Sequence, residues 1–339
     1  MKGTVAMHDT LSAARAVWLE QRRAIESGAV SGLGRRPAGG AARWARRGRR
    51  ALEWLVRGLG LDERGRRNAR DVRLERLVVC SARVPAAFDG YRILHVTDTH
   101  FDALAGLIEA IGAAADGLTV DLVALTGDYR MRHRGDPAPV VQGFTRLLAG
   151  VRCRDGVVAT LGNHDTSDLI APMERLGITV LGNERRHAHR DGGTLSITGI
   201  DDVVRYGTAM ARAALNAPEP DGFEGFRIAL AHSPGMAEVA AGAGFDFFVC
   251  GHTHGGQICV PGSALLVSGT RAARDLVAGA WRRGGMAGYT SRGAGVSSLP
   301  YRFFSRGEIT LIELRRADGA DGVGAPTVHA AVTAAAPPR

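Results

Sequence analysis

Four short segments of this chain gather the residue types that hold metal ions. They are Asp98-Thr99-His100, Gly127-Asp128, Gly162-Asn163-His164-Asp165 and Gly251-His252-Thr253-His254, with His232 alone between the last two. Asp98, His100, Asp128, Asn163, His232, His252 and His254 make seven potential ligands. One tetrahedral ion takes about four ligands, and a catalytic ion about three plus water, so seven suit two ions sharing a bridging carboxylate. Carboxylate and imidazole with one neutral amide favour Mn2+, Zn2+ or Fe2+ over Ca2+ and Mg2+, which prefer oxygen shells. Taken singly, each segment is also an ordinary turn, because Asp, Asn and Gly serve local hydrogen bonding there. Taken together, they place many polar groups in one region, at about 1–3 kcal/mol for each one buried without a partner. A shared metal pair removes that cost.

The elements that must carry these residues are legible as apolar runs at 91–96, 122–126, 157–161 and 245–250. Each run reads as a short buried strand, and each polar set falls where its strand stops. Ligands of open α/β sheets bind beyond the carboxyl ends of strands. Helical patterns follow Phe101 and cover 139–148 and 167–176. After Gly182 short strands dominate, at 194–199, 226–230, 265–267 and 308–314. The mixture predicts an α/β fold of two packed mixed sheets flanked by helices. Three regions are expected: a basic arm over 1–73, a catalytic domain over 74–315 and a flexible tail over 316–339.

The order of the motifs resembles that of the calcineurin-like metallophosphoesterases. The similarity spans residues 74–314. Within that family, His252-Thr253-His254-Gly255-Gly256-Gln257-Ile258 looks like a bacterial phosphodiesterase branch, as do residues 88–93, Gly199-Ile200-Asp201-Asp202, Ser291-Arg292-Gly293-Ala294-Gly295 and Glu308-Ile309. The resemblance implies a four-layer αββα sandwich holding two divalent ions. It assigns Asp98, His100 and His254 to the first ion, Asn163, His232 and His252 to the second, and Asp128 to both. It makes His164 a catalytic residue facing substrate, with Asp165 orienting its ring; a helix N-cap is the other reading of Asp165. A water bridging the two ions, its pKa lowered from 15.7 toward ~7, is then the expected nucleophile on a small or lipid-linked phosphate ester.

Departures from other branches narrow the class. Ser/Thr protein phosphatases continue Gly-Asp with a Val-Asp-Arg-Gly type text and carry Gly-Asn-His-Glu, where this chain has Tyr129-Arg130 and Gly-Asn-His-Asp. Purple acid phosphatases set a Tyr ligand three residues after the Asp, where this chain has Met131. Arg130, Arg132, His133 and Arg134, which could grip a second phosphate or an anionic head group, and Arg292 are candidate substrate contacts; a solvated basic loop and a Gly-rich turn are the respective alternatives.

Charge is uneven. Residues 1–76 hold 18 basic and 8 acidic side chains, a net of +10, while the remaining 25 and 26 leave −1. Lys2 is the only lysine. The arm has no apolar run near the ~20 residues of a membrane span and lacks the pattern of a secretory signal. Two helices are expected in it, over 11–25 and 41–59. The second, with Trp44, Leu55 and Leu59 among arginines, could lie on an anionic membrane, remain a solvated arm, or bind nucleic acid. Four scattered cysteines form no disulfide framework, which points to a reducing, cytoplasmic compartment, with the inner membrane face as a peripheral location. A nuclease using the basic arm and a non-catalytic adaptor are the competing functions; the complete ligand set argues against the adaptor.

Overall fold

The computed structural model describes residues 13–30, 39–261, 273–317 and 326–330. Among the described residues eight α-helices follow in chain order: α1 (Ala13–Ser27), α2 (Gly39–Gly58), α3 (Asp62–Arg70), α4 (Leu107–Ala115), α5 (Ala138–Ala149), α6 (Ile170–Arg175), α7 (Ala209–Asn216) and α8 (Ala237–Gly242). The strands are β1 (Arg73–Ser81), β2 (Tyr91–Val96), β3 (Thr119–Val120), β4 (Leu122–Thr126), β5 (Arg152–Cys153), β6 (Val157–Thr160), β7 (Ile178–Val180), β8 (Glu184–Arg190), β9 (Gly193–Gly199), β10 (Gly225–Leu230), β11 (Phe247–Cys250), β12 (Gly279–Arg283), β13 (Met286–Thr290), β14 (Glu308–Arg316) and β15 (Thr327–Ala330). The expected strand at 265–267 lies outside the described residues.

Two large mixed sheets result, ordered β15-β1-β14-β2-β4-β6-β7 and β12-β13-β11-β10-β9-β8. Side chains of a strand alternate between faces, and β4 shows what that does here. Leu122 and Ala124 enter the core between the sheets, whereas Val123 and Leu125 face the helices. The inter-sheet core takes Ile93 and Val158 from one sheet and Ile197, Ile228, Phe247 and Val249 from the other. Outside the first sheet, α4 and α5 present Leu107, Ile111, Val140, Phe144 and Leu147 at helical spacing. Outside the second, α7 and α8 bring Ala211, Leu215, Ala237 and Ala240 against Phe248 and Met286. The architecture is therefore the expected sandwich of helix, sheet, sheet and helix.

Two segments outside residues 74–315 join the domain. The tail over 316–339 contains β15, which pairs antiparallel with β1, Val79 facing Val328. Without it β1 would leave an open row of backbone donors and acceptors along the sheet edge. The arm also joins the domain: α1 buries Arg15, Trp18 and Arg22, and Leu52 and Val56 of α2 pack with Ile258, Leu299 and Tyr301. Among the described residues, no helix is long and apolar enough to cross a membrane.

Phe247 is fully buried between the sheets, so Phe247→Ala should lower the unfolding free energy by about 3–5 kcal/mol. Urea unfolding followed by circular dichroism measures it; a loss under ~1 kcal/mol would mean that the sheets do not close-pack there.

Candidate metal centre

Each turn that bears candidate ligands begins where a strand ends. Asp98 and His100 follow β2, Asp128 follows β4, and Asn163 and His164 follow β6, all in the first sheet. His232 follows β10, and His252 and His254 follow β11, in the second. The parallel runs β2-β4-β6 and β10-β11 thus deliver all seven residues to one rim.

Asp98, His100 and His254 form one compact group of ligand atoms, and Asp128, His232 and His252 form another. In the first, His100 Nε2 lies 3.3 Å from His254 Nε2, which is 3.4 Å from Asp98 Oδ1. In the second, His232 Nε2 lies 3.1 Å from His252 Nδ1 and 3.1 Å from Asn163 Oδ1. Asp128 joins them, its Oδ2 being 3.7 Å from His100 Nε2 and 3.3 Å from His232 Nε2.

The donor set fits divalent cations on two counts. Asp98 Oδ2 accepts hydrogen bonds from the His252 amide (2.8 Å) and the Thr97 hydroxyl (2.9 Å). Its Oδ1 is buried with no hydrogen-bond partner, which is costly unless something positive meets it. In addition, Nδ1 of His100 is bound to the Arg130 carbonyl and Nδ1 of His232 to the Thr126 carbonyl, each at 2.9 Å. Those bonds place the protons on Nδ1 and turn the Nε2 lone pairs inward, the arrangement that ligating imidazoles need.

The backbone is bent to achieve this. Asp98, His100, Asp128, His252 and His254 all have positive φ, between 39° and 72°. Non-glycine residues avoid that region, and strain of about 1–3 kcal/mol per residue persists only where the surroundings enforce it. The neighbouring glycines allow close approach: a Cβ on Gly162 would lie 2.2 Å from Asp128 Oδ1, and one on Gly251 2.1 Å from Asp98 Oδ2.

Burial and charge set the protonation of the centre. Burial pushes His100 down to about 4 and His252 down to about 3, so both are neutral near pH 7. Burial also pushes Asp98 up to about 6, countered in part by His232. For His232 burial is outweighed by Asp128, helped by Asp98 and Asp202, which lift it to about 10. Asp128 is held well below the usual carboxylate range by His232 and His164 against the opposing effect of burial.

Two sequence expectations, for Asp165 and Arg130, need correction. Asp165 does not orient His164: its carboxylate accepts from the amides of Gly162 (2.8 Å), Asp128 (2.8 Å) and Tyr129 (2.9 Å). It caps no helix either; Thr166 occupies the N-cap position, without a side-chain cap bond. The His164 ring is held instead by the Met131 carbonyl, 2.6 Å from Nδ1. Arg130 is buried, and its guanidinium is engaged by Asp168 at 2.6 and 3.1 Å and by the Thr166 hydroxyl, so it is not directed at a ligand. Arg292 pairs with Glu308 at 2.6 Å and lines a cavity of about 560 Å³ whose walls include none of the seven ligands.

Other residues also shape the site. The His133 ring stacks on His164 at 4.7 Å, and Arg205 donates to its Nδ1 at 2.8 Å and to the Asn163 carbonyl at 3.2 Å. Arg302, fully buried, donates to the carbonyls of His254, Gly293 and Gly295 and so joins the two loops flanking Asp98. His133 stood in a basic run; nothing in the sequence distinguished Arg205 or Arg302.

Residues 91–256 match the family profile described as Calcineurin-like phosphoesterase. The chain is 27% identical over 256 residues to the uncharacterized metallophosphoesterase YkoQ of Bacillus subtilis, covering 73% of this chain and 92% of that one. It is 31% identical over 235 residues to the phosphodiesterase YaeI of Escherichia coli, covering 66% and 82%. The solved phosphopantetheinyl hydrolase of Mycobacterium tuberculosis aligns with a TM-score of 0.39 at 12% identity, over 67% of this chain and 96% of that chain.

Because a ligating His232 must be neutral while its pKa stands at about 10, metal uptake should release one proton across the neutral range. Log Kd for Mn2+ should then fall by about 1 per pH unit between pH ~6 and ~8. Calorimetric titration in buffers of different ionisation enthalpy measures both quantities. A flat Kd with no proton released would contradict the His232–Asp128 arrangement.

Proposed function

The chain belongs to the calcineurin-like phosphoesterase family of metal-dependent phosphoester hydrolases, and on that footing we propose that it cleaves a phosphodiester or pyrophosphate in a small or lipid-linked substrate, using two divalent cations. The observation that carries this reading is Asp128 Oδ2 standing within 3.7 Å of an imidazole from each ligand group. Asp98, His100 and His254 would hold one cation, Asn163, His232 and His252 the other, and Asp128 both. Mn2+ or Zn2+ suit this mixed nitrogen and oxygen set, with Fe2+ as a third candidate. When bound, such cations supply water activation and positive charge opposite the phosphoryl oxygens.

His164 contributes the chain's own proton chemistry. Its Nδ1 is committed to the Met131 carbonyl, which leaves Nε2 for the substrate. As imidazolium it donates to a phosphoryl oxygen or protonates the leaving oxygen. Asp165 serves at one remove, holding the Gly162 and Asp128 amides on which Asn163, His164 and Asp128 depend. The phosphodiesterase relative supports a diester over a monoester.

A lipid-linked substrate accords with the surface of α2. Trp44, Trp54 and Leu55, with Leu59 just beyond the helix, are 57–74% exposed, while Leu52 and Val56 pack inward. Arg43, Arg47, Arg50 and Arg57 lie exposed beside them. Trp and Arg on one exposed face suit the headgroup region of an anionic leaflet, and this would place the enzyme on the inner membrane face.

With Mn2+ and bis-p-nitrophenyl phosphate, His164→Ala should keep both metals and lose at least ~100-fold in kcat, while Asp128→Ala should lose metal and turnover together. Unchanged turnover in the first variant would remove His164 from the mechanism. In vesicle sedimentation, the wild type should pellet with vesicles of mixed phosphatidylglycerol and phosphatidylcholine but not with phosphatidylcholine alone, and the double change Trp44→Ser, Trp54→Ser should abolish pelleting. Equal recovery of both proteins would reject the membrane contact.

A further inference from the structure

Helix α1 is amphipathic in an unusual sense, since the stripe it buries is Arg15, Trp18 and Arg22. These residues share one helix face and reach into the domain behind the candidate metal centre. Arg15 donates to the Val180 carbonyl at 2.7 Å and to Glu184 at 2.7 Å. The Trp18 indole covers Gly182, where a Cβ would lie 2.2 Å from the ring, and its N–H donates to Asp201 Oδ2 at 2.6 Å. Arg22 pairs with Asp201 Oδ1 and donates to the Asp165 carbonyl at 2.6 Å. Its guanidinium carbon also lies 3.6 Å from the centre of the Tyr206 ring. One turn on, Glu26 accepts from the Ser167 amide at 2.8 Å and the Ser167 hydroxyl at 2.6 Å.

All these contacts surround the segment that carries Asn163 and His164. From inside, the Asp165 carboxylate ties that segment to the amides of Asp128 and Tyr129. From outside, Arg22 and the Tyr206 hydroxyl both donate to the Asp165 carbonyl, at 2.6 and 2.9 Å. Glu26 then anchors Ser167, two residues further along. The guanidinium is fully buried, and desolvation of that charge is outweighed by Asp201, Tyr206 and Glu26. A cation removed from water in this way persists only where its partners are fixed.

We propose that α1 is a brace for the Gly162–Ser167 turn, and that Arg22 is a positioning residue for hydrolysis although it supplies no ligand. The basic N-terminal segment is on this view part of the active-site framework. The Mn2+ and kinetic arms of the test rest on the phosphoester hydrolase reading, and the exchange arm does not.

The test uses the full chain with Arg22→Gln, Arg22→Lys and Trp18→Phe, and Arg23→Ala on the exposed side of α1 as control. Hydrogen exchange is read at the amides of residues 162–167. In Arg22→Gln these should exchange at least tenfold faster, while the amides of β4 and β10 keep wild-type rates. Bound Mn2+ after gel filtration should fall from two per chain toward one, through the site that includes Asn163. With Mn2+ saturating, kcat on bis-p-nitrophenyl phosphate should drop at least tenfold with KM changed less than threefold. Arg22→Lys should recover part of each loss, and Arg23→Ala should match the wild type. If Arg22→Gln does not fold, Trp18→Phe decides, since it removes one hydrogen bond to Asp201 and should raise exchange in the same six residues. Wild-type exchange and full Mn2+ occupancy in a folded Arg22→Gln or Trp18→Phe would overturn the brace. Faster exchange in a protein whose wild type hydrolyses no phosphoester would uphold the brace and overturn the functional reading instead.

Discussion

The Asp128 carboxylate is shared by two sets of imidazoles that could not otherwise sit so close. One oxygen accepts from the His164 amide at 2.8 Å, and the other faces His100 and His232. Around it, buried ring nitrogens face one another, His100 and His254 at 3.3 Å and His232 and His252 at 3.1 Å. Such an arrangement is repulsive until positive charge enters it, and protons or metal ions are the available forms. The rest of the rim can be understood as what holds these groups in place: carbonyls that fix the outer ring nitrogens, the Asp98 oxygen committed to Thr97 and His252, and a left-handed backbone at five of the seven candidate ligands.

Support for that geometry comes from groups that do no chemistry themselves. Asp165 gathers three amides, Arg302 gathers loop carbonyls, and Arg130 gives its carbonyl to His100 while Asp168 holds its guanidinium. In each case a charge is engaged by the backbone or by a fixed partner. Preorganisation of this kind keeps the ligand atoms within the narrow tolerances that metal sites require.

The strands at 91–96 and 122–126 and the turns that end them were readable because they are local: apolar runs stop at Gly, Asp and His, and one rim follows from where strands end. Asp165 was misjudged because its partners, Asp128 and Tyr129, stand 37 and 36 residues away and are backbone amides, which carry no sequence signature. Arg130 was misjudged because a guanidinium looks the same in sequence whether Asp168 or a phosphate answers it. The role of α1 was hidden for a related reason. Its buried stripe is charged, and reading by hydrophobic periodicity assigns such residues to solvent. β15 was obscured by an Ala- and Pro-rich surrounding composition, although its pairing with β1 closes an edge.

Both ligand groups are drawn from the two sheets together. Asp98 and His100 meet His254 across the seam, and Asp128 meets His232 and His252. Any ion seated in either group is consequently a rivet between the halves of the sandwich. Loading would then stabilise the closed sandwich by linkage: the halves hold each other more firmly when riveted, and a chain whose sheets are mis-seated has nothing to offer an ion. Metal occupancy would in this way report, molecule by molecule, that the two halves have closed in register.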